Sequence, residues 1–122
     1  MLTKNFSKNE MKCSCCGVCN ISMEFMEKLQ KARDLAGIPF NIISGCRCPM
    51  KNRRVGGAFS SDHISTGMLQ CSGADIGCYS SQNRYIIINA ALSSGINRIG
   101  IGETFLHLSI SDINPQNVVW LY

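Results

Sequence analysis

The feature that most constrains the fold is a single amphipathic stretch, residues 22–36. Its apolar residues recur at spacings of three and four, which is the period of one face of an α-helix. Ser22 can cap the start of this helix and Gly37 its end, and Pro39 lies just beyond. The apolar face comprises Phe25, Met26, Leu29, Ala32 and Ala36. The pattern therefore predicts one helix over residues 22–36.

The remaining elements alternate along the chain. Residues 81–94 predict a second helix, which is broadly apolar and so largely buried, and which Gly95 stops. Short strands are expected over residues 39–44, 73–77, 98–101, 104–110 and 118–122. Gly102-Glu103 joins two of these strands as a hairpin, and residues 45–72 show no sustained period and predict a long, functional loop. The sum is an α+β domain with two main helices packed on a small, mostly antiparallel sheet.

Length and composition exclude several classes of protein. The 122 residues predict one domain spanning 1–122, and a hydrophobic fraction of 45% excludes a disordered chain. No apolar run reaches the ~18 residues of a membrane span, so no membrane insertion is expected. The polar start lacks the apolar core of a secretory signal, so we expect synthesis in the cytoplasm. The net charge of +4 suits an anionic polymer as the partner. The chain has no long basic run, so we do not expect it to bind nucleic acid.

Eight cysteines are the unusual feature of the composition. In a reducing compartment stable disulfides are uncommon, so the cysteine spacings indicate either a metal site or free thiols. Cys16-x-x-Cys19 together with Cys46-x-Cys48 could close a second metal site, a tetrahedral zinc centre with four thiolates. The second spacing is one residue shorter than the usual C-x-x-C. The alternatives are a few disulfides, or free thiols that act as small buried hydrophobic groups.

Only two histidines are present, His63 in the long loop and His107 in a predicted strand. With Asp75, they supply two imidazoles and one carboxylate and leave a fourth position for water, which is the arrangement that catalytic zinc requires. Zinc lowers the pKa of that water to about 7. The alternative is that both histidines are structural residues with satisfied hydrogen bonds.

A series of motifs along the chain resembles one known family. In order, the motifs are Ser44-Gly45-Cys46-Arg47-Cys48-Pro49, Asn52 with Val55-Gly56-Gly57, Ser61-Asp62-His63, Gly73-Ala74-Asp75-Ile76 and Phe105-Leu106-His107. Together they resemble the zinc D-alanyl-D-alanine peptidases. That family includes peptidoglycan carboxypeptidases, vancomycin-resistance dipeptidases and phage endolysins, and it shares its fold with the Hedgehog signalling domain. The resemblance runs from near Phe6 to the end of the chain.

The resemblance implies zinc ligands at His63, Asp75 and His107. It implies that Arg47 faces the scissile carbonyl, where a fixed guanidinium can stabilise the developing oxyanion, and that Ser61 helps to hold the substrate. The implied activity is zinc-dependent hydrolysis of D-amino-acid-containing peptide bonds of peptidoglycan, as a carboxypeptidase or an endopeptidase. We therefore expect a monomer that acts at the cell wall, after release or as a virion component.

Two departures from the family pattern concern the metal ligands. His63 and Asp75 are twelve residues apart, whereas relatives place the aspartate seven residues after the histidine. The intervening Ile64–Ser72 therefore carries five extra residues, which could reshape or cover the site. Relatives also carry an aspartate two residues after the last ligand, where this chain has Ser109.

A third departure concerns the catalytic base. Relatives carry an acid three residues before the last histidine, and this chain has Thr104 there. Glu103, four residues before His107, is the expected base if the strand already runs through it, because residues four apart share a strand face. Asp62 is a weaker candidate. If no base is present, the alternative is an inactive zinc-binding structural or cell-wall-binding module of the same fold. The other alternative is a cysteine-based zinc domain that binds nucleic acid.

Overall fold

Four helices and a five-stranded sheet make up the structure, a computed structural model that describes residues 1–122. The helices are α1 (Lys8–Met11), α2 (Met23–Ala36), α3 (Pro49–Arg54) and α4 (Ser81–Ser93). The strands are β1 (Ile42–Ser44), β2 (Gly73–Gly77), β3 (Arg98–Ile101), β4 (Phe105–Ser109) and β5 (Val118–Leu121). The strand order is β1-β2-β4-β3-β5, and every neighbouring pair is antiparallel except β3 with β5. This architecture confirms the predicted α+β class with a mostly antiparallel sheet.

The two predicted main helices are confirmed, and local signals explain their bounds. The prediction that the second helix is largely buried is wrong, because only Ile87, Ala90 and Ala91 of α4 are buried. The Ser22 hydroxyl accepts a hydrogen bond from the Phe25 N–H at 3.2 Å, which caps the start of α2, and Gly37 ends it in a left-handed conformation. The Ser80 hydroxyl accepts from the Asn83 N–H at 3.1 Å and caps α4 in the same way. Neither helix, nor α1 or α3, has the length and apolar character needed to cross a bilayer.

The alternation of side chains along β2 and β4 separates the core from the site. Ala74, Ile76, Leu106 and Leu108 are fully buried and join the hydrophobic cluster that contains the apolar faces of α2 and α4. Successive side chains of a strand point to opposite faces of the sheet. The residues between them therefore point away from the helices, and these include Asp75 and His107 of the predicted zinc site.

The two short helices were not predicted. The stretch 45–72, predicted as a loop, contains α3, which Cys48 caps and Pro49 begins. Both α1 and α3 are too short to show a helical period, although Ser7 and Glu10 form a capping box at α1. The predicted strand 39–44 is confined to β1 in the structure.

One row of residues crosses all five strands on the side away from the helices. It consists of Ser44, Asp75, His107, Gly100 and Trp120, each in register with its neighbour. A Cβ atom at Gly100 would lie 2.7 Å from the Trp120 ring and 2.6 Å from the Tyr122 ring. The absence of a side chain at Gly100 therefore lets the Trp120 ring approach His107, with ring centroids 5.5 Å apart.

Gly100→Ala should displace the Trp120 ring from His107, because the added methyl group overlaps it. We expect a loss of roughly 1–3 kcal/mol in the free energy of unfolding, the usual cost of overpacking. Trp120 is the only tryptophan, so its fluorescence reports the shift directly while urea unfolding measures the stability. Gly67→Ala is the control, since a Cβ at Gly67 meets no atom within 4 Å. Unchanged fluorescence and stability in Gly100→Ala would contradict this packing.

Candidate metal centre

The structure brings His63, Asp75 and His107 together. One potential ligand atom from each lies within 4.8 Å of the others, and all three residues are buried. Asp75 Oδ1 is 3.2 Å from His63 Nε2 and 2.9 Å from His107 Nδ1. Asp75 and His107 are register partners on β2 and β4, so the rigid sheet sets their separation.

His63 reaches the cluster from the loop between α3 and β2. Its carbonyl accepts a hydrogen bond from the Arg47 N–H at 2.7 Å, and the Arg47 carbonyl accepts from the Ser65 N–H at 2.8 Å. These bonds hold the His63 loop parallel to the segment that contains Arg47. The ring of His63 is oriented by a 2.7 Å hydrogen bond between Nδ1 and the Gly45 carbonyl.

The extra residues between His63 and Asp75 form a turn that leaves the site open. The Thr66 N–H donates to the Leu69 carbonyl at 2.9 Å, which closes the turn, and Met68 at its tip is 98% exposed. The Ser65 hydroxyl accepts a hydrogen bond from the Asn20 N–H and donates one to the Asn20 carbonyl, both at 2.9 Å, and these bonds tie the base of this turn to the body of the protein. The added length therefore loops outward and does not line the cavity at the cluster.

The donor set fits a cation with borderline-soft character, such as Zn²⁺. A carbonyl can only accept, so His63 carries its proton on Nδ1 and turns a lone pair on Nε2 toward Asp75. Asp62 Oδ2 lies 2.8 Å from His107 Nε2, so a neutral His107 ring turns the lone pair of Nδ1 toward Asp75 as well. Three electron-rich atoms then face one another, and only a cation or added protons can offset their repulsion.

The pKa shifts of His107 and Asp75 also indicate that the cluster favours positive charge. Burial would lower the pKa of His107, but its contacts with Asp62 and Asp75 outweigh burial and raise that pKa. Burial would raise the pKa of Asp75, but its close contacts with the rings of His107 and His63 hold that pKa well below its usual range. The carboxylate of Asp75 is therefore ionised and available as a ligand.

Asp62 contacts the ring of a predicted zinc ligand. Besides the contact with His107 Nε2, Asp62 Oδ2 accepts from Arg98 Nε at 3.2 Å, and Oδ1 accepts from the Asn114 amide at 2.7 Å. Burial opposes ionisation of Asp62, yet the hydrogen bond from His107 and the charge of Arg98 keep its pKa well below the usual range. Ser109 stands where the family resemblance implied an aspartate, yet a carboxylate still contacts His107, from a different position in the chain.

The cluster opens into a cavity of about 450 Å³. Arg47 reaches it, with a terminal guanidinium nitrogen 3.5 Å from Asp75 Oδ2, the oxygen that does not face the histidines. Ser61 also lines the cavity, and its hydroxyl accepts a hydrogen bond from the His63 N–H at 3.2 Å. Arg98 and Trp120 line the same cavity, and the Arg98 guanidinium stacks 5.0 Å from the centre of the Trp120 ring.

A comparison with protein families identifies the chain. The model of the family described as peptidase M15 matches residues 4–110, a range that contains His63, Asp75 and His107. The chain belongs to the peptidase M15 family. This is a family of zinc D-Ala-D-Ala peptidase type, which confirms the resemblance seen in the sequence motifs. A comparison with curated proteins found no match.

Glu103, the predicted base of this M15 protein, lies away from the cavity. It is exposed in the turn between β3 and β4, and its backbone carbonyl accepts a hydrogen bond from Arg84. Strand β4 begins only at Phe105, so strand alternation does not extend to Glu103. The carboxylates that line the cavity are Asp62 and Asp75.

The four cysteines predicted as a second metal site fall into two separate groups. Cys16 and Cys48 lie with Cys13, and the three sulfur atoms are within 4.8 Å of one another. Cys19 and Cys46 lie elsewhere, with their sulfur atoms 3.9 Å apart. Cys46 and Cys48 are two residues apart but turn their sulfur atoms to different groups, because the irregular backbone between β1 and α3 does not follow strand alternation.

Among these cysteines the pKa is lowered at Cys13 and raised at Cys16, Cys19 and Cys46. Burial would raise the pKa of Cys13, but hydrogen bonds from the backbone N–H groups of Cys48, Cys16 and Cys15 lower that pKa to about 7. In the other group, burial is the largest cause that raises the pKa of Cys19 to about 11. A hydrogen bond with Cys71, followed by burial, raises the pKa of Cys46. The second group therefore consists of neutral thiols.

Asp62→Asn should weaken zinc binding by about 10- to 100-fold, as is usual when the partner of a ligating histidine is changed. The neutral amide makes His107 a poorer ligand and leaves Arg98 without its ion partner. Competition with a chromophoric chelator measures the affinity. Asp112→Asn, on an exposed residue, is the control. Equal zinc affinity in both variants would show that Asp62 does not orient His107.

Proposed function

We propose that this M15 protein is a zinc-dependent peptidase that cleaves D-amino-acid-containing peptide bonds of peptidoglycan, as a carboxypeptidase or endopeptidase. The observation that carries this proposal is the convergence of His63, Asp75 and His107 at the wall of an open cavity, with the Arg47 guanidinium beside them. Family membership supports zinc-dependent hydrolysis in general. We further propose that the substrate is peptidoglycan. The protein would act on it as a monomer at the cell wall, after release or as a virion component.

His63 Nε2, Asp75 Oδ1 and His107 Nδ1 would hold the zinc ion. When bound, zinc supplies Lewis-acid polarisation of a carbonyl and a water molecule of lowered pKa. The protein contributes orientation, since Gly45 and Asp62 fix the two rings through their other nitrogens. Such partners fix the tautomer of each ring and raise its basicity as a ligand.

Arg47 is proposed to stabilise the negative charge that develops on the carbonyl oxygen. Its Nε donates to the Ser44 hydroxyl at 3.2 Å, and a terminal nitrogen donates to Asn52 Oδ1 at 3.4 Å. The Asn52 side chain can occupy this position only because residue 57 is a glycine: a Cβ there would lie 2.0 Å from Asn52 Oδ1. A preorganised guanidinium in a partly enclosed site can stabilise the transition state without a rearrangement of its own side chain.

The cavity has the size and lining expected for a short peptide. Its volume is about 450 Å³, and its lining includes the polar residues Ser60 and Ser61 and the aromatic residues Trp120 and Tyr122. The Ser61 hydroxyl accepts from the backbone of His63 and keeps its own proton free to donate to a substrate carbonyl. This arrangement supports Ser61 as the proposed substrate-binding residue.

Purified peptidoglycan tests the proposal directly. We expect chelator-sensitive release of peptide fragments that is restored by zinc, with mass spectrometry identifying the bond that is cut. A synthetic peptide ending in D-Ala-D-Ala should be cleaved, whereas its all-L counterpart should survive. Intact muropeptides under every condition would contradict the peptidase proposal.

Arg47→Lys should lower kcat by about 10²-fold, the size of effect seen when one oxyanion donor is removed. Lysine keeps the charge beside Asp75 but loses the planar fork that Ser44 and Asn52 hold in place. Zinc content should not change. Arg54→Lys is the matched control on an exposed arginine of α3. Equal kcat values for the two variants would remove Arg47 from the proposed mechanism.

A second candidate function is a zinc-binding module of the same fold without peptidase activity. It is favoured by one observation: Asp62 and Asp75, the carboxylates at the cavity, are both engaged by other residues. The absence of turnover in a zinc-loaded parent chain would support this candidate.

Glu103→Gln tests the predicted base. Because the side chain is exposed outside the cavity, we expect unchanged turnover of a D-Ala-D-Ala peptide and unchanged zinc content. Glu27→Gln, on the exposed side of α2, is the control for a lost surface charge. A selective loss of turnover in Glu103→Gln, with zinc retained, would instead support Glu103 as the base and require the turn that carries it to move.

A further inference from the structure

We propose that Cys13, Cys16 and Cys48 form a second metal site, which binds Zn²⁺ through three thiolates and leaves its fourth position to solvent. The site is separate from the proposed catalytic centre and differs from it in donor chemistry, because it offers sulfur alone. Thiolate sulfur is a favoured ligand of Zn²⁺ and of softer ions such as Cd²⁺.

The backbone around Cys13 is a tight turn that presents two sulfur atoms together. The Gly17 N–H donates to the Cys13 carbonyl at 2.8 Å, and the Cys13 N–H donates to the Val18 carbonyl at 2.8 Å. Gly17 has φ +79°, a left-handed conformation that a residue with a side chain rarely adopts. The sequence Cys-x-x-Cys-Gly thus closes on itself, as the ligand spacing of structural zinc sites requires.

Cys48 completes the group from a distant part of the chain. The three sulfur atoms lie within 4.8 Å of one another. Thiolates bound to one tetrahedral zinc ion are roughly 3.8 Å apart, given Zn–S bonds of about 2.3 Å. A contraction of at most roughly 1 Å would therefore bring the three sulfurs to ligand distance around a metal ion.

Backbone N–H groups point at two of the sulfur atoms. The Cys48 N–H donates to Cys13 Sγ at 3.3 Å, and the Lys51 N–H donates to Cys48 Sγ at 3.4 Å. Such donors stabilise the negative thiolate, which is the form that binds metal. Cys13 is buried whereas Cys16 is exposed, so one side of the group is closed by protein and the other is open to solvent.

The site would connect the turn before α2 to the segment that carries Arg47. Cys13 precedes α2, while Cys48 directly follows Arg47 and stands three residues after Gly45, which orients His63. A metal ion at the three sulfurs would close a loop of the chain and restrict the segment that carries Arg47. Metal bound by the folded chain alone also stabilises the fold by mass action.

The test uses the full-length chain under reducing, anaerobic conditions. Metal analysis counts zinc per chain, and replacement by Co²⁺ gives a sulfur-to-cobalt charge-transfer band in the near ultraviolet only where thiolates are ligands. His63, Asp75 and His107 contain no sulfur, so this band reports the second site independently of the first and of any peptidase activity.

We expect two zinc ions per chain and a strong charge-transfer band. Cys16→Ser and Cys48→Ser should each lose one zinc and most of the band, and the zinc retained at the histidine site shows that these variants fold. Cys15→Ser is the matched control, because its thiol is exposed in the same turn but lies outside the sulfur group. His63→Ala should lose the other zinc and keep the band.

Three results would overturn the proposal. The first is a reduced parent chain that binds cobalt without a charge-transfer band. The second is a band that persists in both Cys16→Ser and Cys48→Ser, or that Cys15→Ser reduces equally. The third is a disulfide joining two of the three sulfurs in protein alkylated at the moment of cell lysis. A chain without peptidase activity that keeps the band would contradict the proposed function alone.

Discussion

The shared oxygen of Asp75 is the contact on which the site depends. Oδ1 lies within 3.2 Å of a nitrogen from each histidine, while Oδ2 faces Arg47 at 3.5 Å. A buried carboxylate is costly unless charges and hydrogen-bond donors offset the loss of water. The arrangement therefore requires positive charge between the two imidazoles, and a metal ion meets that requirement at neutral pH without protonating the rings.

Two kinds of support hold this oxygen and its partners in place. The sheet supplies Asp75 and His107 as register partners, and opposite faces of the same strands anchor them to the hydrophobic core. Loops supply His63 and Arg47, which are joined to each other by backbone hydrogen bonds. An insertion in a surface loop has a small entropic cost, so the lengthened turn around Met68 is tolerated while His63 stays in place.

The segment from Gly45 to Cys48 links both proposed metal sites. Its Gly45 carbonyl orients His63, its Arg47 guanidinium faces Asp75, and its Cys48 sulfur joins the thiolate group. Three of these four residues thus turn toward the zinc ligands, the proposed oxyanion position and the second site, while the Cys46 sulfur lies beside that of Cys19. The consecutive residues of the motif Gly45-Cys46-Arg47-Cys48 therefore each contact a different part of the structure.

Local sequence patterns determined the main helices, the strand positions and the fold class. Cap residues and a helical period act within a few neighbouring residues, so residues 22–36 could be interpreted without knowledge of the rest of the chain. The ligand triad His63, Asp75 and His107 was predicted by a combination of composition and family motifs. The structure brings these three side chains into one cluster.

Only the tertiary structure decided which side chains outside regular elements meet. Asp62 is adjacent to a predicted ligand, yet it contacts His107, which is 45 residues away. Cys46 and Cys48 join different sulfur groups, and Glu103 stays in an exposed turn because its strand begins two residues later. The path of a loop and the register between strands depend on contacts across the whole molecule, and no local period in the sequence records them.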